Sequence, residues 1–346
     1  MITRRQMLTG VAGWAMTGCR PRARAGSEVV LYSSLDERYA VALGRLFERR
    51  TGIRVRLVSD TETAKSTGLV NRLIAESSRP VADVFLSGDI LRAGQLKRHG
   101  RTVAWQHERR SDLPASAYDD PEGHWLASSV RLRVLIVHPT RAGRESRPSS
   151  MLDVAKPEFA PRSCLANPLF GTTSMHARVL RESMGAAGAK AFFELFSRNG
   201  GRMLASNGEV RRKVVSGEFA YGWTDSDDVS VALRDRSPVE YVIPDQAPGA
   251  MGVVVVPCTV CVVRDAPHPA EARELARFLA SEVTEEWLAR SEASHWPLNP
   301  RLEAPKTFGV QLAGLRQAEV APERWGTDPG DDFGEFLEAW ASRQRR

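Results

Sequence analysis

Along the chain, short apolar runs alternate with longer stretches whose apolar residues recur at helical spacing. Val29-Val30-Leu31-Tyr32 reads as a buried strand, and Tyr39 to Arg50 sets Val41, Leu43, Leu46 and Phe47 along one helix face before Gly52 ends it. Ile53 to Val58 is the next strand, Gly68 to Ser77 the next amphipathic helix, and Ala82 to Leu86 a third strand. This β-α-β-α-β opening is the pattern of a doubly wound sheet flanked by helices.

The middle of the chain continues in kind. Arg131 to Val137 predicts a long strand, Ser163 to Ala166 a short one, and Thr172 to Met184 and Ala187 to Asn199 two helices. A short helix at Val210 to Val215, a strand at Phe219 to Trp223 and a helix from Asp227 to Arg234 follow. Val239 to Ile243 and Gly252 to Val263 are the last strands, and helices over Pro269 to Ser281, Glu285 to Arg290 and Phe333 to Arg343 close the chain. No internal repeat or low-complexity segment interrupts this order. At roughly 150 residues per domain, 346 residues suit two lobes.

Charge adds an N-terminal feature. The formal net charge is +6, but Arg4, Arg5, Arg20, Arg22 and Arg24 lie in the first 25 residues, which hold no acidic residue. The remainder is close to neutral, so no basic field points to nucleic acid. Residues 1–25 read as an export segment: the twin arginine Arg4-Arg5 precedes a short apolar stretch from Met7 to Met16. Two maturation sites compete. Met16-Thr17-Gly18-Cys19 resembles a lipobox that would lipidate Cys19, and Ala23-Arg24-Ala25 suits ordinary signal-peptidase cleavage. No run of about 18 apolar residues suggests a spanning helix.

Cys258 and Cys261 have the spacing of a redox or metal motif, yet they lie in an apolar run that reads as a strand. There they would sit about 10 Å apart on opposite faces, beyond the roughly 7 Å reach of a disulfide. Core packing is the expectation for both.

Ligands of open α/β sheets bind beyond the carboxyl ends of strands. Five segments there are small and polar and stand ready to start helices: Ser33-Ser34, Ser87-Gly88-Asp89, Asn167 to Ser174 with Gly171, Thr172 and Thr173, Ser206-Asn207-Gly208-Glu209, and Thr224-Asp225-Ser226-Asp227-Asp228. Helix-start amides beside hydroxyls make pockets for neutral or anionic groups. The same residues are also ordinary helix caps, so each segment has a purely structural reading beside the functional one. Arg131 and Arg133, on one face of a strand, either add charge to the site or are simply solvated. His138, His176 and His295 share no close ligand spacing.

In this order, Leu31-Tyr32-Ser33-Ser34, Phe47 to Val55, Pro80 to Phe85, Arg131 to Val137, Asn167-Pro168 with Gly171-Thr172-Thr173, and Gly217-Glu218 before Thr224 to Asp228 resemble the ferric-ion-binding branch of periplasmic solute-binding proteins. The resemblance spans about residues 28 to 300. It implies the two-lobed type II periplasmic-binding-protein fold, α/β throughout, with residues 27–128 and 252–346 in one lobe and 129–251 in the other. It further implies a monomer without enzymatic activity or cofactor, holding its ligand between the lobes and handing it to an inner-membrane ABC permease. Carried over, the ligand-binding residues are Ser33, Ser34, Asp89, Gly171, Thr172, Thr173, Ser206, Asn207, Asp225, Asp227 and Asp228, with Asp89, Asp227 and Asp228 as ligands if the cargo is a metal.

The departures fall on the iron chemistry. Ferric binders of this branch use a histidine in the first strand-helix turn, a carboxylate after a later strand, where Asp89 stands here, and two adjacent tyrosines after a Gly-Glu strand. Here the first turn is Ser33-Ser34-Leu35-Asp36, and the tyrosine positions fall on Asp227-Asp228. Ferric iron and an organophosphate, aminophosphonate or other organic anion both remain open as cargo. So does a role presenting ligand to a sensor. A metal-dependent phosphoesterase would need a nucleophile and base pair, and neither a Gly-x-Ser-x-Gly elbow nor a His-Glu-x-x-His helix occurs.

Overall fold

The computed structural model describes residues 26–59, 67–105, 117–143, 147–319 and 331–345. The proposed export segment with Cys19 lies outside them. No helix among the described residues is long and apolar enough to cross a membrane.

The chain opens with β1 (Glu28–Ser33), α1 (Glu37–Thr51), β2 (Arg54–Ser59), α2 (Thr67–Ala75), β3 (Val84–Ser87) and α3 (Ile90–Arg98). α1 shows how local sequence sets an element. Asp36 caps its start by accepting from the Arg38 amide, Leu43 and Phe47 fill the core side, and Gly52 ends it at φ 78° with its amide on the Glu48 carbonyl. Only glycine adopts that left-handed geometry without steric cost.

Next come β4 (Leu126–Val137), the one-turn α4 (Pro139–Ala142), β5 (Ser163–Ala166), α5 (Gly171–Arg198), β6 (Arg202–Leu204), α6 (Asn207–Val215), β7 (Tyr221–Asp225), α7 (Ser226–Arg234) and β8 (Glu240–Val242). Then β9 (Val255–Val262), α8 (Pro269–Leu279), α9 (Glu282–Arg290) and α10 (Asp331–Gln344) complete the fold. The two helices expected at Thr172–Met184 and Ala187–Asn199 form one run broken at Gly185, whose φ of 73° and ψ of 164° are not helical. β4 begins five residues before the expected Arg131, because Ser128 and Ser129 are buried although polar, and a register shift falls between Ala127 and Ser129.

Among the described residues all strands join one nine-stranded sheet, yet β4 divides it. Its first part, Leu126 to Leu132, pairs antiparallel with β9, and its second part, Arg133 to Val137, pairs with β7 and in part with β8. The first half therefore has the order β2-β1-β3-β9-β4 and the second β6-β5-β7-β4-β8. In each, three parallel strands are followed by an antiparallel strand arriving from the crossing. The chain thus passes between the lobes at Leu132-Arg133 and returns between β8 and β9.

Each lobe has its own core. Leu31, Phe47, Val84, Val260 and Leu275 belong to the first, and Leu135, Leu165, Phe193, Tyr221 and Trp223 to the second. β9 places Cys258 and Cys261 in clusters on opposite faces, and Cys164, Cys258 and Cys261 are all free and buried. Gly222 on β7 allows α6 to lie close, since a Cβ there would meet Val210 Cγ1 at 2.5 Å. One expectation needs correction. The first lobe was expected to run to residue 346, but Phe333, Leu337 and Trp340 of α10 pack into the second lobe's core, and Trp340 Nε1 donates to the Phe193 carbonyl at 2.9 Å.

Candidate functional site

Five helices that begin at the carboxyl ends of strands, α1, α3, α5, α6 and α7, point their N-termini at one cleft of about 150 Å³. Its walls are Ser34 to Asp36 with Arg38, Gly88-Asp89, Phe170 to Thr173, Ser206 to Gly208 and the Asp225, Asp227 and Asp228 turn, with Arg131 and Arg211 between them. Short strand-to-helix connections put these residues there, because each lobe's parallel strands end toward the other lobe.

Three of the helix starts are capped by their own side chains. Asp36 accepts from the Arg38 amide, Asp89 from Arg92 and Ser206 from Glu209. Two are not. α5 is preceded by Phe170, which has no side-chain acceptor, and α7 by Asp225, whose carboxylate makes no cap. A helix start without a side-chain cap retains amide donors and a partial positive charge, the conditions for holding an anion.

Asp225 is committed elsewhere. Its Oδ1 accepts from Arg133 Nη1 at 2.6 Å, and its Oδ2 from Arg131 Nη1 at 3.1 Å and the Thr172 hydroxyl at 2.7 Å. Arg133 is fully buried and also reaches Thr172, Thr173 and Asn207. Burial alone would raise the Asp225 pKa, but the charges of Arg133 and Arg131 outweigh it and hold the group below the usual carboxylate range. The Arg131 guanidinium also donates to the Gly88 carbonyl, so it touches the β3-α3 turn of one lobe and the β7-α7 turn of the other. Neither arginine is solvated: Arg131 is 8% exposed and Arg133 0%.

Asp227 and Asp228 complete the acidic turn. Oxygens of Asp225, Asp227 and Asp228 lie within 4.8 Å of one another. Burial, then the negative charges of Asp227 and Asp225, push the Asp228 pKa up to about 6. Every carboxylate lining the cleft nonetheless has a guanidinium close by. Arg38 stands 3.5 Å from Asp36, Arg92 3.8 Å from Asp89, Arg131 3.4 Å from Asp227 and Arg211 3.6 Å from Asp228, besides the two arginines on Asp225. Of the two helix starts without side-chain caps, α7 carries Asp227 and Asp228 in its own first turn, and α5 has no acidic residue there.

Of the residues expected to bind ligand, Ser34, Asp89, Gly171, Thr172, Thr173, Ser206, Asn207, Asp225, Asp227 and Asp228 all line the cleft. Ser33 does not: it is 0% exposed, and its hydroxyl accepts from the Leu35 amide within the turn. Of the residues expected for a metal, Asp227 and Asp228 stand in the close carboxylate group together with Asp225, and Asp89 lines the cleft as the cap of α3. Trp223 is core, stacked at 4.1 Å on buried His176, whose imidazole burial and Arg133 keep neutral. Sequence reasoning did not single out Arg38, Arg211 or Phe170. Phe170 had one readable signal, an apolar residue where a helix cap belongs.

Residues 79–310 match the family of bacterial extracellular solute-binding proteins, and the chain belongs to that family. Its members are binding proteins rather than enzymes. The major ferric iron-binding protein of Neisseria meningitidis is 25% identical over 321 residues, 89% of this chain and 90% of that protein. The Fe(3+)-binding periplasmic protein of Serratia marcescens is 23% identical over 318 residues, 87% of this chain and 91% of that protein. Among solved structures, iron-bound HitA from Pseudomonas aeruginosa superposes with a TM-score of 0.78 at 19% identity, covering 92% of this chain and 99% of that one. AfuA from Actinobacillus pleuropneumoniae, with exogenous fructose-6-phosphate bound, does so with a TM-score of 0.78 at 18% identity, covering 93% and 99%. The fold is that of the type II periplasmic binding proteins.

Proposed function

We propose that this protein is the extracytoplasmic capture subunit of an ABC importer and that its cargo is a small organic anion carrying hydroxyl or amino groups, of the phosphorylated-sugar or aminophosphonate kind. The observation that carries this reading is that each cleft carboxylate has an arginine beside it, while the α5 start has neither a side-chain cap nor an acidic residue in its first turn. The anion would sit at Gly171 to Thr173, and the hydroxyl or ammonium groups would reach the Asp227-Asp228 side. Size supports it as well. About 150 Å³ is on the order of ten water positions, far more than one ion fills.

Export through the N-terminal segment, with anchoring through Cys19 or release after Ala25, and delivery to a permease belong to the same reading. Ferric iron is the second reading. The Asp225, Asp227 and Asp228 group within 4.8 Å favours it, as do the names of the relatives. No tyrosine or histidine lines the cleft among the described residues, so such a site would rest on carboxylates alone. A thermal-shift series with hexose phosphates, aminoalkyl phosphonates and ferric iron separates the two. A ligand at about 100 times its Kd adds about 2.7 kcal/mol to stability. The reading expects that gain from an organic anion and none from iron alone.

A further inference from the structure

Phe170 stands directly before the α5 amides, lines the cleft and is 37% exposed. Among the described residues two other large apolar side chains are as open to solvent, Met184 and Leu195, and neither lines the cleft. Leu169 beside it packs against the second lobe's core, whereas Phe170 joins no apolar cluster among the described residues. Its backbone is held on both sides. The Phe170 amide donates to the Asn167 carbonyl at 3.3 Å, its carbonyl accepts from the Ser174 amide at 3.2 Å, and Gly171 follows at φ 54°, a left-handed angle that glycine adopts freely. A Cβ on Gly171 would meet nothing within 4 Å, so the space there is open.

Two local costs meet at this residue: a phenyl ring cannot cap the helix, where Ser, Asp or Asn is favoured, and its apolar surface is left in water. Single exposed apolar residues are commonplace on a protein surface. This one adjoins the anion site and is the one aromatic residue among the described cleft residues, where Leu35 and Ala166 are buried and Ala205 and Val231 have no flat face. The cleft also holds buried polar atoms that the protein leaves unmet. Asp89 is 1% exposed and Arg131 8%, both line the cleft, and neither Asp89 Oδ2 nor Arg131 Nε has a hydrogen-bond partner. Such atoms call for a ligand that brings hydroxyl groups.

Ligand pockets combine a few polar groups that fix orientation with aromatic surface that covers the ligand's body. The CH groups on one face of a sugar ring carry partial positive charge and suit the negative face of a phenyl ring. The open chain of an aminoalkyl phosphonate presents no such face. We propose that Phe170 is a specificity-determining residue that selects a phosphorylated cyclic sugar, whose apolar ring face stacks on the phenyl group while its phosphate lies on the α5 amides. The inference rests on the reading of the cleft as an organic-anion site and names which of its two ligand classes is carried.

A matched pair of ligands isolates the ring: hexose phosphates and their open-chain hexitol phosphates carry the same phosphate and the same number of carbons. Affinities for both, and for aminoalkyl phosphonates, are measured by calorimetry on the purified full chain and on Phe170→Leu and Phe170→Tyr. Leucine keeps apolar bulk and adds no cap, so the α5 amides are left as they are, and tyrosine keeps the ring. The unsubstituted chain should bind its best hexose phosphate more tightly than the corresponding hexitol phosphate. Phe170→Leu should weaken the hexose phosphate about 3- to 10-fold and change the hexitol phosphate less than about twofold, while Phe170→Tyr keeps the preference for the ring. Equal losses for cyclic and open-chain ligands, or no loss in Phe170→Leu, overturn the inference and leave the organic-anion reading standing. Binding of an aminoalkyl phosphonate with no hexose phosphate bound does the same. If the unsubstituted chain binds no organic anion, that reading falls and the inference falls with it.

Discussion

Arg133 and Asp225 face each other as register partners on β4 and β7, at the point where the chain crosses between lobes, and their side chains meet at 2.6 Å with both residues buried. Because Arg131 shares the same carboxylate, one acidic side chain neutralises charge at the hinge and braces the wall of the cleft. Breaking a buried pair by removing one member leaves an uncompensated charge and costs about 3–5 kcal/mol. Asp225→Asn should therefore lose stability of that order in a urea titration. A change near zero would show that water already screens the two arginines.

The acidic turn gives stability a pH dependence of definite sign. The Asp228 pKa lies near 6 in the folded protein, above its ordinary value of 3.8. The native state thus binds more protons than the unfolded chain between about pH 4 and 6, and stability from this group falls as pH rises through that window. Asp225, depressed by its arginines, acts oppositely: its contribution is present above its unfolded pKa and is lost as pH falls toward its folded one. Asp228→Asn should gain stability at pH 7.5, on the order of 1–3 kcal/mol, and lose the decline between pH 4 and 6. An unchanged pH profile in denaturant midpoints would contradict the assignment. In the same window the neutral Asp228 should favour an anion, so affinity is expected to be higher at pH 5 than at pH 7.5.

Phe170 offers a test in which stability and function move apart. It occupies the cap position of α5 in extended geometry, φ −131° and ψ 154°, and is 37% exposed. An aspartate there has the backbone it needs to bond the α5 amides. Phe170→Asp should raise stability by about 0.5–2 kcal/mol while abolishing anion binding, since the protein's own carboxylate fills the site. Retained binding would move the anion away from α5.

The last helix should be integral to the second lobe. Trp340 is fully buried, packs edge-on to Phe193 with centroids 5.1 Å apart, and donates to the Phe193 carbonyl. Trp340→Ala is expected to cost about 3–5 kcal/mol in denaturant unfolding. A loss under 1 kcal/mol would make α10 an appendage.

Much of this was legible in the sequence because period and punctuation are local. The strand-helix alternation, the paired helices either side of Gly185 and the five polar helix-entry turns all follow from residues within a few positions of one another. What was not legible depends on partners distant in sequence. Ser33 and Ser34 are adjacent and chemically alike, yet Ser33 turns its hydroxyl to its own loop and Ser34 lines the cleft. Whether Arg131 and Arg133 were solvated could not be read from β4 alone, since Asp225 reaches them from more than 90 residues away. The placement of α10 on the second lobe depends on packing against α5, which no periodicity within α10 encodes.

The most direct test of the cleft as an organic-anion site is calorimetric titration of the purified chain with hexose phosphates and aminoalkyl phosphonates, repeated with ferric iron and with Phe170→Asp. The predicted result is saturable binding of at least one organic anion at one per chain, lost in Phe170→Asp, with no heat from iron alone. Stoichiometric binding of ferric iron, undiminished in Phe170→Asp and with no response to any organic anion, would contradict it.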